Sequence, residues 1–181
     1  MPHITTLRLV LREFALQDAD FILELVNTHD WINNIGNRNI NTIDDATNYI
    51  ATSLISINSK ATGMWAVVEK NTNVLMGMCG FVQRSYLDSL DIGFAFLPKY
   101  QGNGYAKEAA EACVVYGFEV VCLVKIYALL LPNNIRSVSL LKKLGFVVSN
   151  YITLGDEVLQ LFQLTNMKTE GAIAPAHQPK L

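Results

Sequence analysis

The sequence predicts an α/β sandwich: one mixed, mostly antiparallel sheet of six to seven strands with helices on both faces. Three observations predict it. Leu7, Leu9 and Leu11 alternate with Arg8, Val10 and Arg12, the period-two pattern of a strand with one face buried. Residues 65–97 hold three apolar runs separated by short polar turns, which is the pattern of an antiparallel meander. From Tyr105 onward helical and strand patterns alternate, so helices must pack against the faces of the sheet.

The elements follow in order. After the first strand, Asp18 precedes Phe21, Ile22, Leu25 and Val26 at helical spacing and is placed to cap a helix. Residues 27–41 are rich in Asn, hold Trp31, Gly36 and Arg38, and read as a loop with room for a helical turn. A second helix is expected from near Asp44 to about Ser59, with Ala46, Tyr49, Ile50, Leu54 and Ile57 on one side. Trp65 to Lys70 and Val74 to Arg84 form a hairpin about Asn71-Thr72-Asn73, in which Gly77 and Gly80 imply a bulge or a close backbone approach. Leu87 to Leu97 completes the meander. An Ala-rich helix then begins around Tyr105 and packs through Tyr105, Ala109, Ala112, Cys113, Tyr116 and Val120. Lys125 to Leu131 is a strand, Ile135 to Leu144 an amphipathic helix closed by Gly145-Phe146, and Val147 to Leu154 and Val158 to Thr165 the last two strands.

A chain of 181 residues, 51% hydrophobic and 17% charged, supports one well-buried core, so residues 1–167 are expected to form a single domain. Residues 168–181, with Gly171, Pro175 and Pro179, are expected to be a mobile tail. A net charge of −2 argues against a general nucleic-acid or membrane-surface binder. Cys79, Cys113 and Cys122 are odd in number and set in apolar surroundings, which fits free thiols in a cytoplasmic protein and no metal cluster. Val114 to Leu131 carries Glu119 and Lys125 and changes from helical to strand character midway, so it is not a membrane span.

The junction Gln101-Gly102-Asn103-Gly104-Tyr105-Ala106 is the chemical centre of the sequence. A helix N-terminus offers amides without intrahelical partners and about half a positive charge. A diphosphate meets both demands. Gly102 and Gly104 permit a tight turn, Ala106 keeps the first helical turn open, and Lys107 adds a cation. An ordinary strand-to-helix turn would use the same glycines for geometry alone.

The order of motifs decides between these. Gln101, Gly104 and Ala106 match Q/R-x-x-G-x-G/A, and Asn134, Ser137, Gly145 and Phe146 match N-x-x-[A/S] followed by Gly-Phe. On these residues the chain resembles the GNAT N-acetyltransferase superfamily from roughly Leu7 to Leu164. Asp91-Ile92-Gly93-Phe94 and the Ser at position 137 resemble the branch that holds the ribosomal-protein N-terminal alanine and serine acetyltransferases. The resemblance implies a splayed V between the fourth and fifth strands, ending near Leu97 and Leu131, into which pantetheine enters and bonds backbone around Phe96 and Leu97. It implies acetyl-CoA as co-substrate, no metal, and a diphosphate held by Gln101, Gly102, Asn103, Gly104, Tyr105, Ala106 and Lys107, with Lys99 as a further cation. Asn134 would bond the pantetheine amides. The two early helices and their connection would wall the acceptor site, with Trp31, Asn33, Asn34 and Arg38 as candidate contacts, each Asn fitting a solvated polar loop equally well. Relatives are monomers and homodimers.

Acetyl transfer to an amine needs a neutral amine, a donor for the developing oxyanion and a proton for the leaving thiolate. An α-amine, with pKa near 7.7 to 8.0, is neutral far more often at pH 7 than a lysine-like amine at about 10.4. Asp91 is the expected base, directly or through a water, where the family often has Glu; it could equally be a rim carboxylate that orients a cationic acceptor. Amides near Phe96 and Leu97 would supply the oxyanion donor. Leu141 stands where many members have Tyr, and the resembling branch implies Ser137 as the acid, or as the group that holds the sulfur or relays a proton from water. Asn134 and Ser137 would otherwise be a helix cap. The acceptor is expected to be a protein or peptide N-terminal α-amine, with a small amine (aminoglycoside, polyamine or amino acid) as the alternative. A non-catalytic acyl-CoA-binding module is the other class that Leu141 allows.

Overall fold

The computed structural model of the chain describes residues 4–55 and 63–167. Eight strands run in the order β1-β2-β3-β4-β5-β6-β8-β7: β1 (Ile4–Thr5), β2 (Leu9–Arg12), β3 (Met64–Glu69), β4 (Leu75–Val82), β5 (Asp91–Phe96), β6 (Lys125–Leu130), β7 (Val147–Leu154) and β8 (Glu157–Thr165). All neighbours are antiparallel except β5 and β6, which are parallel. The two-residue β1 is what takes the count past the expected seven.

Helices lie on both faces: α1 (Ala19–Val26), α2 (His29–Asn34), α3 (Ile43–Tyr49), α4 (Tyr105–Glu119) and α5 (Ile135–Lys143). On one face Leu9, Leu11, Trp65, Val67, Phe81 and Ile92 pack with Ala109, Cys113 and Tyr116 of α4 and Leu141 of α5. On the other, Ala66, Met78 and Leu97 pack with Ile22, Leu25, Trp31, Ala46, Ile50 and Leu54 from the α1–α3 layer. Among the described residues no helix is long and apolar enough to cross a membrane.

Local chemistry explains where the helices depart from expectation. Asp18 precedes α1 but does not cap it: its carboxylate accepts from Ala15 N–H (2.9 Å) and pairs with Arg12 (2.7 Å), closing a 3₁₀ turn instead. The Asn-rich segment contains α2, because Thr28 caps it by accepting from Trp31 N–H and Trp31 buries against the second core. Helix α3 starts at a Thr42/Asp45 capping box and runs on as a π-helical turn, Ile50–Ile55. Its expected end at Ser59, and the expected tail 168–181, lie outside the described residues. The α4 stripe rotates toward Ala110 and Gly117, and Val120 is exposed because the helix ends at Glu119. Gly80 in β4 answers a close approach: a Cβ there would stand 2.0 Å from Gly63 O.

One pairing positions the site. β5 and β6 share a single register pair, Asp91 with Tyr127, sealed by Tyr127 N–H to Leu90 O (2.9 Å). A continued parallel ladder would next take Leu129 N–H to β5 backbone. Instead Leu129 N–H donates to Asp91 Oδ1 (3.0 Å), and the strands part. Side chains hold the closed end: Ser89 Oγ donates to Lys125 O (2.6 Å), and Asp88 accepts from Lys125 (2.8 Å) and Tyr127 (3.0 Å).

Candidate active site

The splay exposes one edge of β5. Leu97 N–H bonds Met76 O (3.0 Å), so the alternation of an antiparallel ladder turns the main-chain groups of Gly93, Ala95 and Leu97 toward β4. Those of Ile92, Phe94 and Phe96 face the other way; Ile92 belongs to the last rung with Tyr127, and beyond it β6 has diverged. Of the two expected donors, the Leu97 amide is therefore engaged within the sheet; Phe96 N–H, with Phe94 above it, lines the gap.

The gap leads to the glycine loop. Gly102 (φ +78°) and Gly104 (φ +80°) are both left-handed, a conformation that costs other residues about 1–2 kcal/mol. A Cβ on Gly102 would meet nothing within 4 Å, and one on Gly104 only Arg8 Nη2 at 3.4 Å. Among the described residues no protein acceptor meets the N–H groups of residues 102–107, and the first bond of α4 is Glu108 N–H to Gly104 O (3.0 Å). The Asn103 side chain folds back onto Gln101 O (3.1 Å), and Ala106 is half-buried at the start of the helix.

The cations differ from expectation. Lys107 pairs with Glu111 one turn along α4, and Lys99 with Glu24 (3.1 Å). The guanidinium beside the loop belongs to Arg8, which donates to Asn103 O (3.1 Å), pairs with Glu108 (2.7 Å) and lies 4.5 Å over the Tyr105 ring. Its place in a strand pattern 95 residues away carried no sign of this role.

Gln101 has no N–H left for a ligand. Its main-chain N–H bonds Pro98 O (3.2 Å), and its Nε2 bonds Asp30 Oδ2 (3.1 Å) and Phe96 O (3.0 Å). Its Oε1 accepts from Arg136 Nη1 (2.9 Å) on α5. The expected direct cofactor contact is thus replaced by a knot joining α2, β5 and α5.

Asp91 is buried, 2% exposed, rather than on a rim. Besides Leu129 N–H it accepts from Arg84 Nε at 2.5 Å. Burial pushes its carboxyl up to about 6, with Arg84 and the Leu129 amide pulling the other way. Across the gap, Asn134 caps α5 by accepting from Ser137 N–H (3.3 Å), as the capping reading held. The hydroxyl of half-buried Ser137 has no hydrogen-bond partner among the described residues. Leu141, one turn on, is fully buried in the first core.

The acceptor residues are not gathered together. Trp31 is in the second core with Nε1 unpartnered, Asn33 is exposed and bonded to the His29 ring, and Asn34 bonds Asp30 O (2.8 Å). Exposed Arg38 lines a surface concavity of about 300 Å³ with Asn39, Asp45, Asn48 and Tyr49. A larger one, about 510 Å³, lies over Ile135, Val138, Ser139 and Lys142, on the side of α5 turned away from Ser137.

An opened sheet edge that runs into unbonded helix amides, beside a buried carboxylate, is the architecture of an acyltransferase. The chain belongs to the GNAT acetyltransferase family: the family model described as an acetyltransferase (GNAT) domain matches residues 8–147. It is 32% identical to the uncharacterized N-acetyltransferase YnaD of Bacillus subtilis (strain 168), over 79% of this chain and 81% of that protein. Among solved structures, a GNAT-family acetyltransferase from Bacillus anthracis superposes with a TM-score of 0.76 at 27% identity, covering 91% of this chain and 98% of that one. The spermidine N(1)-acetyltransferase of Escherichia coli (strain K12) is 41% identical over 51 residues, 28% of this chain and 27% of that protein. The ribosomal-protein-S5-alanine acetyltransferase of Vibrio fischeri shares the fold, with a TM-score of 0.77 at 20% identity over 92% of this chain and 98% of that one.

Proposed function

We propose that the protein transfers an acetyl group from acetyl-CoA directly to a primary amine in the cytoplasm, and that the acceptor is a protein or peptide N-terminal α-amine. The observation that carries this is the unpaired edge of β5 running into the unbonded amides of residues 102–107. The fit to coenzyme A rests on the same loop: two left-handed glycines leave room for an anion, and Arg8 stands beside it. Acetyl-CoA, when bound, supplies the acetyl group as an activated thioester.

The residues then have distinct tasks. The amides of Gly102, Asn103, Gly104, Tyr105, Ala106 and Lys107 grip the diphosphate, aided by Arg8. Phe94 and Phe96 offer main-chain groups to the pantetheine arm, and Phe96 N–H serves as donor to the carbonyl oxygen as its charge grows, a role typically worth about 3 to 4 kcal/mol. Asn134 keeps its Nδ2 for the arm. Asp91 takes the amine proton, and its burial favours a water relay. Ser137 holds or protonates the sulfur. Leu141 lies in the core, so the lack of Tyr there removes nothing from the gap, which favours catalysis over a binding-only module.

Charge favours the α-amine acceptor. On the acceptor layer Asp18, Glu24, Asp30 and Asp45 already bond Arg12, Lys99, Gln101 and the Asn41 and Thr42 amides. That leaves exposed Asp20 and Asp44 as the carboxylates of α1 and α3 without a partner among the described residues, a small set for a polycation. The polyamine reading stands second because of the spermidine acetyltransferase match. Thiol release from acetyl-CoA, measured with N-terminal peptides, spermidine and an aminoglycoside, tests both; turnover of peptides is expected to dominate. Faster turnover of spermidine would replace the acceptor, and no turnover of any amine would overturn the transferase reading.

A further inference from the structure

One cluster outside the proposed chemistry joins the acceptor layer to the cofactor gap. Gln101 follows β5, Asp30 belongs to α2 and Arg136 lies in the first turn of α5, and the Gln101 carboxamide bonds them all. β5 and β6 are parallel and part toward their C-terminal ends. A bond from the segment after β5 to the helix after β6 therefore crosses the open end of the splay. The same amide group touches Phe96 O, on the edge of the gap, and the helix that carries Trp31.

That helix is short and has few ties. α2 has six residues, held by the Thr28 cap, the burial of Trp31 and the Asp30–Gln101 bond. Trp31 is 5% exposed, and its Nε1 is the one buried side-chain polar atom among the described residues that lacks a partner. A buried donor without an acceptor is disfavoured. A small shift of α2 that brings Nε1 an oxygen, from the protein or from an acceptor carrying a carbonyl, relieves it.

We infer that Asp30 is a positioning residue: through Gln101 it makes the placement of α2 and Trp31 follow the occupancy of the gap between β5 and β6. The inference rests on the acetyl-CoA reading. A group that bonds the Phe96 main chain re-aims the Gln101 amide, and the Asp30 carboxylate passes that change to α2. The acceptor layer is then completed after the cofactor is seated. By linkage, each ligand changes the affinity of the other by the same factor.

The test uses the full chain labelled with fluorotryptophan, whose two indoles, Trp31 and Trp65, give two fluorine NMR resonances assigned with Trp31→Phe. Coenzyme A is titrated in, with calorimetry in parallel. The Trp31 resonance is expected to move on saturation. Asp30→Ala should abolish that shift while changing the calorimetric Kd of coenzyme A alone by less than about twofold, and should raise the KM for the amine at saturating acetyl-CoA, and that for acetyl-CoA at saturating amine, alike by about fivefold. Asp30→Asn, which keeps an oxygen for the same amide, should restore the shift. A Trp31 shift that survives Asp30→Ala, or no shift in the unsubstituted protein although calorimetry reports binding, overturns the inference and leaves the transferase reading intact. No calorimetric binding of coenzyme A to the unsubstituted protein overturns both.

Discussion

Replacing Asp91 with Asn separates what this carboxylate does for the fold from what it does for the chemistry. Folding raises its pKa from 3.8 to about 6, with burial as the main cause. The folded state therefore holds the proton more tightly than the unfolded one. The stability that this contributes is complete below pH 3.8 and is lost as pH rises through 6. At about 1.4 kcal/mol per decade the difference is about 3 kcal/mol, an upper figure for what ionised Asp91 costs the native state at pH 8. Asp91→Asn keeps an oxygen for Leu129 N–H and carries no charge. It should match the unsubstituted protein near pH 4 and exceed it above pH 7 by as much as about 3 kcal/mol, or roughly 6–12 °C in Tm. Activity should move the other way: kcat/KM falls by about 100-fold or more, and the acidic limb near pH 6 in the unsubstituted enzyme disappears. Thermal melts and initial rates between pH 4.5 and 8.5 decide it. A stability difference that stays flat across pH 5–7, or that turns against the variant as pH rises, would show that Arg84 outweighs burial and would refute the reasoning.

Gly104→Val should abolish the calorimetric heat of coenzyme A binding, because it forces a branched residue to φ +80° and sets a side chain against Arg8; unchanged affinity would remove the loop from the cofactor site. Arg8→Met should weaken coenzyme A binding about tenfold, with the loss shrinking as salt rises, as read by calorimetry at two ionic strengths. Ser137→Ala should lower kcat by about 100-fold while the KM for acetyl-CoA holds, and an equal rise in that KM would make Ser137 a binding residue only. Gly80→Ala should destabilise by about 3 kcal/mol or more on urea unfolding, since a Cβ 2.0 Å from the Gly63 carbonyl forces β3 and β4 apart.

The strands were legible because their alternation is local, and the family because two glycines, an Ala and a later Asn-x-x-Ser stand in a recognisable order. Asp91 could be picked out but not its setting. Nothing nearby in sequence says that β6 will leave β5 one residue later, so that the carboxylate caps Leu129 N–H from inside the sheet. Arg8, Arg84, Asp30 and Arg136 escaped notice for one reason. Arg8, Asp30 and Arg136 acquire their partners from 35 or more residues away, Arg84 from across the turn into β5, and each is an ordinary surface charge by local pattern. Helix α2 was missed as a full helix because a Thr cap and one buried Trp outweigh the Asn content around them.

The lone Asp91–Tyr127 rung makes the sheet a book with a narrow spine: β1 to β5 form one leaf, and β6, β8 and β7 the other. Every other seam in the sheet is stitched by a run of backbone bonds, whereas here one main-chain rung and polar side chains at the same end do the binding. A molecule lodged between the leaves supplies stitches that the chain omits, so resistance to heat should climb with ligand concentration as RT ln(1 + [L]/Kd). The seam with the fewest main-chain rungs is also the one on which we propose that the chemistry takes place.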